Sequence, residues 1–131
     1  MIRLTGTFEV TGGDEAEVEQ REGVRITRVD GTQRFSGDIE GEGHVTWLMA
    51  YLPDGSARFV GFQRIDGTFG GRAGSLIIES TGDHDRTASQ GHWGVLKRAG
   101  TGAVGRATGS GSFHAPGGPT VTYELELDGI D

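Results

Sequence analysis

Polar side chains that stand among aromatic residues are the clearest chemical signal in this sequence. Tyr51, Gln63, Ser80 and Tyr123 share the two-residue alternation of their large apolar neighbours, so we expect them on the inner face of a sheet. A buried hydroxyl or amide without a partner costs about 1–3 kcal/mol. These groups therefore either satisfy one another in a filled core or line a cavity and orient a bound molecule, and the sequence leaves both explanations open.

The histidines are the next candidates for chemistry. The segment Asp83-His84-Asp85 places an imidazole between two carboxylates, a composition that can bind a metal ion or stabilise a charged histidine. The segment is polar and no further ligand follows at the spacing of a metal site, so a solvated loop is predicted. His44 and His92 alternate with Trp47 and Trp93 and should point outward. We therefore predict no metal.

Two patterns resemble cofactor or catalytic motifs but lack the context that such motifs need. Residues 100–105 (GTGAVG) have the spacing of a dinucleotide fingerprint, yet no apolar helical face follows them. A glycine-rich strand turn is predicted there, and no cofactor. Asp38, Glu40 and Glu42 form an alternating acidic row, which is more typical of a solvated face than of an acid–base pair.

One charged pair lies where the alternation shifts. The parity of the segment 24–33 changes near Arg28 and Asp30, and a bulge at Gly31 would explain the change. If the bulge turned either side chain inward, that residue would be the strongest functional candidate, because burying a charge is costly and perturbed charges cluster at functional sites. A surface ion pair is the prediction.

The elements that must position these side chains are strands. Residues 35–82 read as an antiparallel meander with turns at Pro53-Asp54-Gly55 and Asp66-Gly67. Residues 14–22 (DEAEVEQRE) alone have a helical composition, but they carry only two apolar side chains, so a surface turn of helix or a solvated loop is predicted. A last turn is predicted at residues 117–119. The predicted strands lie at residues 2–10, 24–33, 35–51, 58–65, 76–80, 89–96, 105–114 and 121–127.

Composition narrows the classes of partner and compartment. The 131 residues suit a single domain, residues 1–131, and they include no cysteine for disulfides or thiol chemistry. The net charge of -7 argues against nucleic acid and anionic membranes as partners. Residues 1–20 have no secretory pattern, so a cytoplasmic protein is expected.

The glycines favour a closed all-β architecture. The chain has 25 of them, well above the roughly 7% that is usual, and they are spread along the strands. Glycine within a strand marks bulges, corners and close backbone approach. Because an open sheet of about eight strands would leave two unpaired edges, we predict a closed antiparallel eight-stranded β-barrel rather than a sandwich.

Several glycine-containing segments resemble those of a bacterial family of unknown function. They are residues 35–41 (FSGDIEG), 47–51 (WLMAY), 59–62 (FVGF) and 66–75 (DGTFGGRAGS). Members of that family resemble plant allene oxide cyclase in fold. The resemblance implies a small eight-stranded barrel with a central cavity, but no catalytic residue is carried over from the plant enzyme, which acts largely by steric moulding of its substrate.

These observations predict a hydrophobic small molecule in the barrel lumen. The leading hypothesis is a cofactor-free cyclase or isomerase that holds an apolar or polyketide-like substrate in a reactive conformation. The predicted catalytic residues are Gln63, Tyr51 and Tyr123, with Gln63 and Tyr123 donating to a developing oxyanion. A lipocalin-like carrier or sensor is the alternative, a filled structural barrel is the third reading, and a homo-oligomer is left open. The predicted ligand-binding residues are Phe35, Trp47, Met49, Phe59, Ile78, Ser80 and Trp93.

Overall fold

The strands follow the alternating runs of the sequence but are longer than predicted. The computed structural model describes residues 1–85, 87–117 and 119–130. Arg86, Gly118 within the predicted last turn, and Asp131 at the end of the predicted domain lie outside the described residues. The strands are β1 (Ile2–Arg21), β2 (Val24–Gly37), β3 (Ile39–Tyr51), β4 (Ala57–Phe69), β5 (Arg72–His84), β6 (Ser89–Val95), β7 (Thr101–Gly102), β8 (Thr108–Ala115) and β9 (Thr120–Asp128).

Eight of these strands form a ring of antiparallel neighbours. The order runs β1-β2-β3-β4-β5-β6-β8-β9, and β9 pairs again with β1. The two-residue β7 pairs only with β5 and lies outside the ring. The predicted all-β architecture and the ring of eight antiparallel strands are therefore confirmed. None of the described residues forms a helix of the length and hydrophobicity that a membrane crossing requires.

The prediction of a helix or loop at residues 14–22 is wrong. β1 runs through this segment to Arg21, and the chain turns back at Glu22 and Gly23, both with positive φ. β1 pairs with β9 only as far as Glu9, and beyond that point it pairs with β2 alone. Pairing with β2 thus outweighs the helical composition of residues 14–22. Their acidic side chains also disfavour pairing of the exposed edge of β1 with another chain.

The bulge expected at Gly31 lies instead on the opposite strand. Register shifts occur in β1, between Val10 and Gly12 and between Glu17 and Glu19, while β2 keeps its alternation. Because β2 stays in register, Arg28 and Asp30 both point outward, with Arg28 Nε 3.0 Å from Asp30 Oδ2. The predicted surface ion pair is confirmed.

The turns follow the predictions in part. Leu52 and Ser56 close the predicted turn at Pro53-Asp54-Gly55 through a backbone hydrogen bond of 2.8 Å. The turn predicted at Asp66-Gly67 is wrong, because β4 continues to Phe69 in register with β5 and the chain turns at residues 70–71. The glycine-rich segment at 100–105 contains β7 and a tight turn, and no helix follows it among the described residues.

The interior of the ring is one aromatic and aliphatic core. Seven aromatic side chains from different strands contact one another inside the ring of strands. The distances between their ring centroids are 4.9 to 6.2 Å. The predicted inward parity of the aromatic residues is thus correct. The seven are Phe8, Phe35, Trp47, Phe59, Trp93, Phe113 and Tyr123.

Candidate functional site

A cavity of about 300 Å³ lies at the end of the ring where β1 parts from β9. Its wall is formed by residues of β1, β3, β4, β5, β6, β8 and β9, so side chains from seven strands converge there. We call it the lumen cavity. Its lining residues are Phe8, Val10, Trp47, Met49, Tyr51, Phe59, His84, Ser89, Phe113, Ala115 and Val121.

The rim of the lumen cavity is its polar part. Tyr51, Ala57, His84 and Ser89 are successive cross-strand partners on β3, β4, β5 and β6, so their side chains point to the same face. His84 Nδ1 and Ser89 Oγ share a hydrogen bond of 2.5 Å. Ala57, between the phenol and the imidazole, is fully buried.

A carboxylate of the extended β1 joins this rim. Thr27 Oγ1 and Tyr51 OH both donate to Glu15 Oε2, each at 2.6 Å, and the Arg25 guanidinium lies 4.7 Å from the centre of the Tyr51 ring. The hydrogen bond from Thr27, followed by that from Tyr51, holds the pKa of Glu15 below its ordinary value. Burial is the main cause of a raised pKa at Tyr51, and the bond to Glu15 adds to it. The phenol therefore stays protonated and the carboxylate stays charged near neutral pH.

This network predicts a specific pH dependence of stability. A lowered pKa in the folded state contributes stability above the ordinary value of 4.5, and that contribution is lost as the pH falls through the folded pKa. Glu15→Gln should therefore lower the melting temperature by about 2–4 °C at pH 7, with the gap closing towards pH 3. Thermal unfolding by circular dichroism from pH 7 to 3 measures it.

Glu19→Gln is the control for this prediction, since it removes the same charge from the exposed outer part of β1. It should leave the melting temperature nearly unchanged at every pH. An equal effect of the two substitutions, or a gap that does not depend on pH, would contradict the network.

Below the rim, aromatic rings occupy the space that glycines leave. Phe59, Gly82, Gly91 and Phe113 are successive cross-strand partners on β4, β5, β6 and β8. A Cβ placed on Gly82 would meet Phe59 Cζ at 2.5 Å, and one on Gly91 would overlap the Phe113 ring. The glycines therefore do not leave an empty lumen along the whole ring. Rings fill the middle, and the cavity is confined to one end.

The predicted ligand-binding residues divide between the cavity and the core. Trp47, Met49 and Phe59 line the lumen cavity. The other four are buried beyond its wall, each with at most 3% of its surface exposed: Phe35, Ile78, Ser80 and Trp93.

The predicted catalytic residues are not brought together. Tyr51 stands at the rim, bonded to Glu15. Gln63 is 1% exposed in the interior and donates to the side chain of Gln33. Tyr123 OH accepts from Ile39 N and donates to Ser36 O, both at 2.9 Å. A joint catalytic role for the three stays a prediction.

Sequence reasoning missed several residues of the site. Phe8 and Phe113 lie in predicted strands, at residues 2–10 and 105–114, but were not among the predicted ligand-binding residues. Glu15 gave no signal because its segment was expected to be a helix or loop. The prediction of a solvated loop at Asp83-His84-Asp85 is wrong for its first two residues, which end β5, with His84 facing the cavity. Asp85 lies in the turn, where Thr87 and Ala88 donate to its carboxylate.

The remaining polar candidates lie on the outer surface. His44 and His92 are exposed, as predicted, and so is the acidic row Asp38, Glu40 and Glu42. Among the residues described, no three histidine, aspartate or glutamate side chains converge on a position that could hold a metal ion.

The outer face also carries apolar side chains. Leu48 on β3 is the cross-strand partner of Val60 on β4, and both are about half exposed in the wall of an open groove of about 560 Å³. Phe62, two residues further along β4, is 52% exposed. The groove is larger than the lumen cavity, and most of its residues belong to the solvent side of the sheet, although Met49 and Phe59 line both spaces. Assembly into a homo-oligomer through this or another face stays a prediction.

Comparison with known proteins indicates a family and a fold. A family model described as "Protein of unknown function (DUF3224)" matches residues 4–127. A crystal structure of a DUF3224 protein of unknown function from Shewanella oneidensis MR-1 is similar, with a TM-score of 0.78 over 98% of this chain and 97% of that chain. The identity is 22%, so this likeness shows the fold alone. No curated protein matches the sequence.

Proposed function

The chain belongs to the DUF3224 family of proteins of unknown function, and we propose that it binds a hydrophobic small molecule in the lumen cavity. The observation that carries the proposal is the convergence of four aromatic side chains (Phe8, Trp47, Phe59 and Phe113) and Met49 on an open space under a polar rim. Apolar walls with a few placed polar groups are the usual construction of a small-molecule site. Its partner is thus a small molecule, and a cytoplasmic location and the absence of nucleic acid or membrane partners remain our expectations.

The ring offers a rigid frame for such a site. We propose that it acts as a closed β-barrel of the allene-oxide-cyclase-like kind, with the filled middle supporting the cavity at one end. The interior of an eight-stranded barrel is wide enough for side chains or for one small ligand. In this chain side chains fill the middle of the interior, and the proposed ligand occupies one end.

The test uses tetralin, an apolar two-ring hydrocarbon, and a variant that fills the cavity. Ala115 is partly buried in the cavity wall on β8, so Ala115→Phe should weaken tetralin binding about tenfold or more by occupying the space. The affinity is measured from shifts of backbone amide signals in ¹H–¹⁵N spectra during a titration.

His114→Phe is the matched control, because it adds a ring one residue away on the exposed face of the same strand. It should leave the affinity within about twofold of the wild type. Tetralin binding that is absent, or equally strong in Ala115→Phe, would reject a small-molecule site in the lumen cavity.

A cofactor-free cyclase or isomerase is the second candidate. The observation that favours it is the charged Glu15 beside the protonated Tyr51 at the cavity edge, a pair that can hold or move a proton near a substrate confined by rings. The carrier reading is favoured by Tyr123, whose hydroxyl is bonded to backbone groups of Ile39 and Ser36 and not directed to a substrate. Product formation from polyketide-like compounds, followed by mass spectrometry, separates the two.

A further inference from the structure

We infer that the molecule held in the lumen cavity carries a neutral carbonyl-type oxygen, and that buried N–H and O–H groups below the cavity bind this oxygen. This inference rests on the proposed function, since it specifies the chemistry of the same ligand. The groups concerned form what we call the polar floor, which consists of Gln33, Trp47, Gln63, Ser80 and Trp93.

The polar floor is defined by buried atoms that lack partners. Gln33 Nε2, Trp47 Nε1, Gln63 Oε1, Ser80 Oγ and Trp93 Nε1 have no hydrogen-bond partner within the part of the chain that the structure describes. Buried polar atoms in folded proteins are almost always paired. Five unpaired polar atoms on neighbouring residues indicate a site where a bound molecule supplies the missing hydrogen-bond partners.

Strand pairing places these side chains together. Trp47, Gly61, Ser80 and Trp93 are successive cross-strand partners on β3, β4, β5 and β6. Gly61 has no side chain, and the backbone of Thr46 and Trp47 takes the space that a Cβ at this position would occupy. Gln63 follows two residues after Gly61 on the same face of β4.

The polar floor lies directly below the lumen cavity. Trp47 belongs to both, since it lines the cavity while its indole N–H is buried. Trp93 packs against Phe8 at 6.1 Å and Phe113 at 5.9 Å between ring centroids, and both of those rings line the cavity. The polar floor thus lies one layer of side chains below the cavity, and we expect a bound ligand to displace the rings of Phe8 and Phe113 when it reaches these groups.

The free groups are mostly donors. The indole nitrogens of Trp47 and Trp93 can only donate, and the Ser80 hydroxyl can donate or accept. Gln63 donates to Gln33, and whichever way the two amides are turned, one NH₂ and one carbonyl oxygen of the pair stay free. Such a donor excess matches a ligand oxygen that accepts hydrogen bonds.

The charge of the region selects a neutral acceptor. The buried polar residues among those described are Thr27, Gln33, Gln63, Ser75 and Ser80, and none is charged. A carboxylate buried among them would have no cation to balance it, which is strongly unfavourable. A ketone, aldehyde or quinone oxygen satisfies the donors without that cost.

The experiment compares 1-tetralone with tetralin, which share a two-ring skeleton and differ by one carbonyl group. The chain has two tryptophans, so ¹H–¹⁵N spectra contain two indole N–H signals that report on the polar floor directly. We expect 1-tetralone to move the Trp47 indole proton downfield, as a new hydrogen bond does. Tetralin should change this signal only through ring contacts.

Variants separate hydrogen bonding from packing. Trp47→Phe keeps an aromatic ring but removes the N–H, and it should weaken 1-tetralone binding about tenfold more than it weakens tetralin binding. Ser80→Ala should weaken 1-tetralone selectively as well. Met49→Leu, a change in the cavity wall that involves no hydrogen bond, should affect the two compounds equally.

The outcomes distinguish this inference from the proposed function. If both compounds bind and Trp47→Phe weakens them equally, the lumen cavity is a ligand site and the carbonyl inference is wrong. If neither compound perturbs the cavity residues, the proposed function itself fails. Equal indole shifts with the ketone and the hydrocarbon would also overturn the inference.

Discussion

Gly91→Ala should lower the free energy of unfolding by about 3 kcal/mol, the upper range for overpacking of a core. Gly91 lies in the buried face of β6, and a Cβ at this position would overlap the Phe113 ring and come within 2.7 Å of the backbone oxygen of Thr81. The ring is held between Phe8, Phe59 and Trp93, so it cannot move away freely. Urea unfolding, with the slope m compared between variants, measures the change.

Gly94→Ala is the matched control, since it lies on the same strand with no atom within 4 Å of the added Cβ. It should change the stability by less than about 0.5 kcal/mol. Adding Phe113→Leu to Gly91→Ala should recover part of the loss, because the smaller side chain makes room. Equal effects of the two glycine substitutions would mean that ring-over-glycine packing does not stabilise this fold.

Tyr123→Phe should lower the free energy of unfolding by about 2 kcal/mol. The hydroxyl accepts from Ile39 N and donates to Ser36 O, so it joins the end of β2 to the start of β3 across the ring. Its removal leaves the buried N–H of Ile39 and the part-buried carbonyl of Ser36 without this partner. Burial of the same hydroxyl is the main cause of its raised pKa.

Tyr51→Phe is the internal comparison, since the chain has two tyrosines. The Tyr51 hydroxyl is at the half-exposed rim, so its removal should cost less than about 1 kcal/mol. Binding of 1-tetralone should be unchanged in Tyr123→Phe. A loss of affinity without a loss of stability would instead support the ligand-directed role that the sequence predicted for Tyr123.

These two predictions express one feature of the fold. In the middle of the ring of strands, large side chains pack over glycines. The stability of the fold and the shape of the cavity therefore depend on the same glycines. A substitution that repositions Phe113 should therefore change both the unfolding free energy and ligand affinity, since this ring belongs to the core and to the cavity wall.

The sequence alone determined those features that depend on local alternation. The inward parity of Val45, Trp47 and Met49 and the turn at residues 53–55 could be predicted, because side chains alternate across a strand and turn residues act on their own backbone. The number of strands in the ring followed from the same pattern.

Only the tertiary structure decided what depends on pairing between distant segments. Glu15 meets Tyr51 at the rim because residues 14–21 pair with β2, although their composition is helical, and β2 in turn pairs with β3. Likewise, the extent of the cavity depends on which ring faces which glycine across neighbouring strands, as Phe113 faces Gly91. The register between strands is set by tertiary contacts. The position of the Glu15 carboxylate at the rim and the filled middle of the strand ring could therefore not be predicted from the sequence.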